Sequence, residues 1–504
     1  MNLYGGIKVF SKEEMYKVHQ AAMQILQEVG LELDLSEESL QKLGKKGLKV
    51  DFASCRVRFP VEPILETIQQ LSGAPTPEIS EEGTDKPPQP LRIPKWLQAT
   101  VGAQHGFVYD MDQAEMRPAS HRDMYDFIKV KRNLKDVIAS SSGLYPQDVP
   151  QDVASVHAAA AAVKYCENPS APDVNGVQDL PWVERVMQAA GVWGPEQHKM
   201  VGIYPVSPLR LTGRGAEMLE FQAKRGDLSF VLGMVIPGVS SPVTLVGHTV
   251  VVLAEEFGFN TAYRLLVRPP NNRFSPRSIG DDVCIMDMRR GAYVLSSPEV
   301  SLLRLATHQI AGEFYKFPGP TDGGIRLFPD AKEPGIQAAT EGALQAMGNL
   351  AQGVYSYDEN VSVHVGILGS LCGNLYVCLE QAVIDHEMFQ YLQRFVQGIE
   401  VNEETIAVNL IGEVGPGGTF LDTEHTARHY REEMWFPELG HRGSWDAWVG
   451  FGRRSPLDIA RERVKEYLRE DLEPVLSEER VREVDRIVQE AEMALLDHTT
   501  GILP

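Results

Sequence analysis

VIASSSGLYP (137–146), APDVNG (171–176), MVGIYPV (200–206) and LSFVLGMVIPG (228–238) are short, largely apolar runs, each followed by a stretch of helical periodicity. Helices are expected near 152–165, 180–193, 213–225 and 243–258. Short apolar runs alternating with helices at this spacing are the pattern of parallel βαβ units. YVLSS (293–297), EFYKFPG (313–319) and VSVHVGIL (361–368) continue it, with helices expected at 298–312, 334–352 and 376–398. Seven or eight such units predict an α/β chain folded as a (β/α)8 TIM-type barrel over 121–455. One run resists: TAYRLLVR (261–268) has the β-favouring residues of a strand.

Outside the barrel, residues 1–120 read as an N-terminal helical lead packed on it. Met15, Val18, Ala22, Ile25, Leu26 and Val29 form one helical stripe closed by Gly30. Residues 35–45 and 61–72 read as two more amphipathic helices, and 73–95, rich in Pro, Gly and acid, as a loop. Residues 456–504 form a C-terminal helical tail with stripes of Ile459, Val464, Leu468, Val481, Val484 and Ile487. These stripes suit a solvated helix pair or a subunit interface. With no obvious partner inside a closed barrel, they predict a homo-oligomer.

The 504 residues carry 48 basic and 69 acidic side chains, a net charge of −21, which argues against a nucleic-acid backbone as partner. Five cysteines, at 55, 166, 284, 372 and 378, form no C-x-x-C pair and suit reduced thiols. Glu13, Glu14 and Lys17 interrupt any apolar start, and no run of about 18 apolar residues could span a bilayer. A soluble, cytoplasmic protein without membrane contact is expected.

Barrel chemistry belongs at the C-terminal ends of the strands. Tyr145, Gln147, Asn175, Tyr204 and His364 fall there, as do Met234, Ser297, Thr321 and Asp322. No G-x-G-x-x-G follows a strand and no Walker loop occurs, so a dinucleotide or nucleotide fold has no support. His364, Cys372 and Cys378 are a loose cluster, but six residues between the cysteines is not a same-face helical spacing, so no metal site is expected. The corrinoid-binding D-x-H-x-x-G is absent, since Asp385-His386 runs on into Glu387.

Further on, GEVGPGGTFLDTEHTARHYREEMWFPEL (412–439) combines a glycine turn, a helix that Thr423 or Asp422 can cap, and Trp435-Phe436-Pro437. The aromatic pair reads as core packing or as a pocket wall. Its order, GPGG-x-F-L and then HT-x-R-H-Y-R-E-E-x-W-F-P, resembles the C-terminal signature of the trimethylamine:corrinoid methyltransferase superfamily. SKEEMYKVHQAAMQILQEVGLEL (11–33), SPLRLT (207–212), PGVSSPVTLVG (237–247), MDMRRGAYVLSSPE (286–299), PDAKEPGIQA (329–338) and EQAVIDHEMF (380–389) are similar to further family segments in order. The resemblance makes 261–268 the end of a long helix, with the strand nearer 271–284.

The resemblance implies transfer of a methyl group from an amine to cobalt(I) of cobalamin carried by a separate corrinoid protein, with no metal bound by this chain. Every residue here is an ordinary one, so the chain resembles the non-pyrrolysine branch, which implies glycine betaine, proline betaine, carnitine or a related quaternary amine. A quaternary ammonium departs as a neutral amine, so no acid catalyst is needed and no catalytic residue is assigned. Tyr204, Trp435 and Phe436 are expected to supply aromatic faces to the cation. Gln147, Asn175, Lys332 and His364 are expected to supply donors to a substrate carboxylate. The chain departs from the family pattern at Asp330-Ala331-Lys332-Glu333-Pro334-Gly335, at VSVHVGILGS and at Pro269-Pro270-Asn271-Asn272-Arg273. These changes put the substrate in question more than the reaction class. A silent betaine-binding protein and a structural subunit of a corrinoid methyltransferase complex are the alternatives.

Overall fold

The structure is a computed structural model that describes residues 7–72, 97–101, 105–138, 141–194, 201–227, 229–267, 283–317, 325–351 and 363–496. Its centre is a set of parallel strands: β1 (Leu97–Val101), β2 (Val137–Ile138), β3 (Val201–Ile203), β4 (Ser229–Val231), β5 (Ile325–Arg326) and β6 (Val363–Leu368). They pair in the order β5-β6-β1-β2, with β3 and β4 forming a separate parallel pair. The last of these strands therefore lies beside the first. The expected helices form at Gln151–Tyr165, Leu180–Ala189, Arg214–Arg225, Leu245–Leu266, Pro298–Gln309, Ile336–Ala351 and Leu379–Gln397, though Leu180–Ala189 and Pro298–Gln309 do not follow a strand of this parallel set.

The N-terminal segment is not purely helical, since strands Leu31–Leu33, Lys49–Asp51 and Arg56–Arg58 lie between its helices. Helix Lys12–Gln24 is opened by a Ser11–Glu14 capping box and buries Met15, Val18 and Ala22. It then widens into a π turn, Ile25–Val29, which rotates the stripe so that Leu26 is buried while Val29 turns to solvent. With helix Val61–Ser72, it packs against Leu245–Leu266, in one core with Val201, Ile203 and Val231. Gly30 ends the turn at φ +75°, and a Cβ there would sit 2.3 Å from the Val57 carbonyl oxygen. Gly30→Ala is thus expected to cost about 2 kcal/mol or more, measured by urea denaturation. An unchanged midpoint would contradict this packing.

Several expectations are corrected. Residues 97–120 hold β1 and an antiparallel hairpin, Phe107–Asp110 with Glu115–Pro118, so the parallel sheet begins inside the segment expected to be a helical lead. APDVNG is a turn, its backbone N–H groups at Asn175 and Gly176 donating to Asp179. YVLSS contributes Tyr293 and Val294 to strand Ala292–Val294, antiparallel to Ile285–Asp287, and is not a parallel strand. EFYKF continues the preceding helix through a second π turn, Ile310–Phe314. Tyr315 is buried there, its hydroxyl 2.9 Å from His19 Nδ1 and its ring edge-on to Phe257, so aromatic packing overrides β propensity. TAYRLL lies in helix Leu245–Leu266, as the resemblance implied. The expected 73–95 loop, most of the 271–284 strand, and Thr321 and Asp322 lie outside the described residues.

The tail forms helices Pro456–Tyr467 and Glu478–Leu496. Their stripes have partners inside the chain: Ala460 and Val464 pack with Val130 and Val383, and Val484 and Ile487 with Val156 and Val183. The ground for an interface on these helices is gone.

Candidate active site

The C-terminal ends of the parallel strands form one rim. Beyond β1, His105 bridges Leu144 beyond β2, and Tyr145 N–H donates to the His105 carbonyl at 2.9 Å. His105 Nε2 lies 2.8 Å from Asn374 Oδ1, beyond β6, and Ser370 Oγ donates to the same oxygen at 3.0 Å. Burial lowers the His105 pKa to about 4, against the raising effect of Asn374 and the Gly143 backbone, so the ring is neutral near pH 7.

Beside it, the Tyr145 hydroxyl donates to the Asp173 carbonyl. Burial first, then Asp173, Asp179 and Tyr204, push the Tyr145 pKa far up and keep the phenol neutral. Buried Asp179 holds the 173–176 turn by accepting from Ser155 Oγ (2.5 Å), Asn175 N (2.8 Å) and Gly176 N (2.9 Å). Tyr204, just beyond β3, is exposed on the rim and close enough to act on Tyr145. Gln147 donates from Nε2 to the Tyr145 carbonyl at 3.1 Å and is exposed. Asn175 uses its amide to hold the Gln151 carbonyl at 2.8 Å, a loop-fixing role.

Of a further sector the sequence reading singled out Lys332 and the segment around it, but not the tyrosines that line it. Asp330, after β5, accepts from Leu295 N (3.0 Å) and Ser296 N (2.8 Å), yet burial raises its pKa. Tyr293 donates to the Gly373 carbonyl at 3.1 Å. Tyr376 donates to the Lys332 carbonyl at 2.7 Å and stacks on Tyr109. The signal available was the β-branched end of β1 and the apolar residues after β5, which place the next segments of chain on the rim. Lys332 is exposed, its Nζ on the Asp330 carbonyl at 2.9 Å. His364 is carried by β6, and its side chain lies outside the described residues.

Trp435 and Phe436 are not brought to this rim. Helix Glu424–Glu433, capped by Thr423, delivers them to the outer side of helix Leu379–Gln397. Trp435 meets Tyr391 edge-on at 5.4 Å, and the Arg442 guanidinium already covers its ring at 4.8 Å. Phe436 is exposed beside Tyr430. The expected cage loses both, because the segment is anchored by Glu387 and Arg394 on the face of that helix away from Gly369.

A family model for trimethylamine methyltransferase (MTTB) matches residues 1–494. The chain belongs to the MTTB family. It is therefore a methyltransferase. A trimethylamine methyltransferase MttB of Desulfitobacterium hafniense (strain DSM 10664 / DCB-2) is 25% identical over 97% of this chain and 94% of its own length. A glycine betaine methyltransferase of Desulfitobacterium hafniense (strain Y51) is 26% identical over 88% of each. The crystal structure of the Methanosarcina barkeri monomethylamine methyltransferase (MtmB) covers 99% of this chain and 96% of its own at 13% identity and a TM-score of 0.39, too loose a superposition to place the fold or the site.

In this MTTB chain the described residues contain no group of three or more His, Cys, Asp or Glu that could hold a metal ion, and no helix long and apolar enough to cross a membrane. Cys378 is buried against Glu380, and Cys372 interacts with Tyr376. The turn after β6 is held by Asp385, whose Oδ2 accepts from Gly369 N at 2.8 Å and Oδ1 from Gln381 at 2.7 Å. Burial raises the Asp385 pKa to about 7 despite both bonds. Its neutral form stabilises the fold fully below about pH 4, and this contribution is lost as pH rises through about 7. Asp385→Asn should remove that decline. Relative to wild type, the variant is expected to gain about 2–4 kcal/mol between pH 4 and pH 8 in denaturant titrations. Parallel stability curves would show that Asp385 titrates normally.

Proposed function

We propose that this chain moves a methyl group from a betaine-type quaternary amine to the cobalt(I) of a separate corrinoid protein. The observation that carries the reading is the rim of neutral tyrosines beside acidic groups, at strand ends of an MTTB-family chain. Tyr145, beside Asp173 and Asp179, and the neighbouring Tyr204 offer π faces and negative potential to a permanent cation. Gln147, Lys332 and His364 remain the candidates to hold a substrate carboxylate. Glycine betaine, proline betaine and carnitine share these two ends.

The proposed frame is a (β/α)8 barrel. A β6–β1 pairing that sets the last parallel strand against the first is what closure requires, whereas an open sheet leaves its terminal strands as edges. The barrel then starts near residue 97 rather than 121, after an N-terminal lead and before the 456–504 tail.

Cobalt(I) held by the partner supplies the nucleophile. This chain's residues hold the ammonium, aim one methyl outward and exclude water. No proton needs to move, because the departing amine is neutral. Exposed Val206, Met234, Val239, Val243 and Met288 near the same rim give a docking protein an apolar footing.

Tyr204→Ala is expected to raise the KM for the preferred betaine about two- to thirtyfold, with Tyr204→Phe near wild type, in a methyl-transfer assay with cob(I)alamin. Unchanged KM and turnover in Tyr204→Ala would mean that the cation is held elsewhere.

A further inference from the structure

Residues 399–454 hold four short helices, Glu403–Ile406, Val408–Val414, Glu424–Glu433 and Trp445–Gly450, and none contains a buried residue. In all fifty-six residues only Leu439 is buried. Yet twelve of the thirty-three exposed large apolar side chains among the described residues fall here, with Ile399 at 85% and Leu421 at 87% exposure.

The stretch is anchored around 433–440. Glu387 accepts the backbone N–H of Glu438 and Gly440 at 2.7 and 3.0 Å, and Arg394 donates to the Glu433 carbonyl at 2.8 Å. On either side the chain stands away from its own core. Helices shorter than about 12 residues are marginal in water without tertiary packing, so these need a surface to lie on. Their ionic groups are largely satisfied locally: Arg428 pairs with Glu404 and Glu424, and His429 with Glu404. What remains outward on Val408, Ile411, Phe420 and Leu421 is uncharged.

We propose that residues 399–454 are an arm that packs on a second copy of this chain. Twelve such side chains amount to roughly 800 Å² per partner, the size of a stable interface. The cover has to be permanent. A protein that accepts a methyl group and leaves would strip the arm bare in every turnover, exposing an apolar surface larger than soluble chains tolerate. A second copy is present whenever the first is and never has to leave. This inference does not depend on which amine the chain uses.

Sedimentation of the full chain at micromolar concentration is expected to give a multiple of 56.0 kDa. The triple variant Val408→Asp/Ile411→Asp/Leu421→Asp is expected to lose half of the assembled mass or more, with unchanged helix content, because those side chains are exposed in their own chain. A monomeric wild type, or a triple variant that keeps the wild-type mass, would overturn the proposal. Should the triple variant misfold, Leu421→p-benzoylphenylalanine decides by photo-crosslinking. An adduct between two copies supports the arm. Only intrachain products, or capture of an added corrinoid protein in preference to a second copy, would overturn it.

Discussion

Asp179→Ala is expected to lower stability by about 3–5 kcal/mol and to abolish most methyl transfer. The carboxylate is fully buried and accepts three hydrogen bonds, from Ser155 Oγ, Asn175 N and Gly176 N. Alanine strands all three donors, and each unsatisfied buried donor costs about 1–3 kcal/mol. The turn they hold presents the Asp173 carbonyl that fixes the Tyr145 hydroxyl. Activity should therefore fall further than the folded fraction does. Asp179→Asn keeps one acceptor oxygen and should be intermediate on both measures. Denaturant titration and single-turnover transfer separate the two effects. Wild-type stability in Asp179→Ala would mean that the turn is held by something else.

The sequence was informative where periodicity and burial agree. The seven helices between 151 and 397 match their apolar spacing, and β3, β4 and β6 coincide with apolar runs. β1 was missed because LQATV follows a stretch rich in Pro and acid, and only its pairing with β2 and β6 makes it central. With β1 went His105 and Tyr109, which come after it on the rim. EFYKF looked like a strand because local propensity cannot anticipate Tyr315 packing among Phe257, Phe314 and Phe317. The tail stripes looked unpartnered because the faces that cover them, on helices Gln151–Tyr165 and Leu379–Gln397, lie far away in sequence. Trp435 and Phe436 have the composition of a cage, but the anchor at Glu387, invisible in sequence, sets them on an outer surface.

The second large effect concerns the choice of methyl donor. Tyrosine faces and nearby carboxylates favour a charge that cannot be lost, and neither residue type can activate a poor leaving group. A quaternary ammonium keeps its charge and departs as a neutral amine. Trimethylamine is a comparable donor only while protonated, and desolvation against apolar and aromatic walls favours loss of that proton, after which the group that would have to leave is an amide, a poor leaving group. The product of one transfer from a betaine likewise lacks the permanent charge, so a single methyl should be removed. Cation–π and desolvation differences of a few kcal/mol correspond to roughly a hundredfold or more in kcat/KM.

The most direct measurement is the conversion of cob(I)alamin to methylcob(III)alamin by the purified chain, followed spectrally with glycine betaine, proline betaine, carnitine and trimethylamine in parallel. At least one betaine is expected to react, at least about a hundredfold faster than trimethylamine and with one methyl per molecule. Methylcobalamin formed from trimethylamine as fast as from any betaine, or from none of the four, would contradict the account.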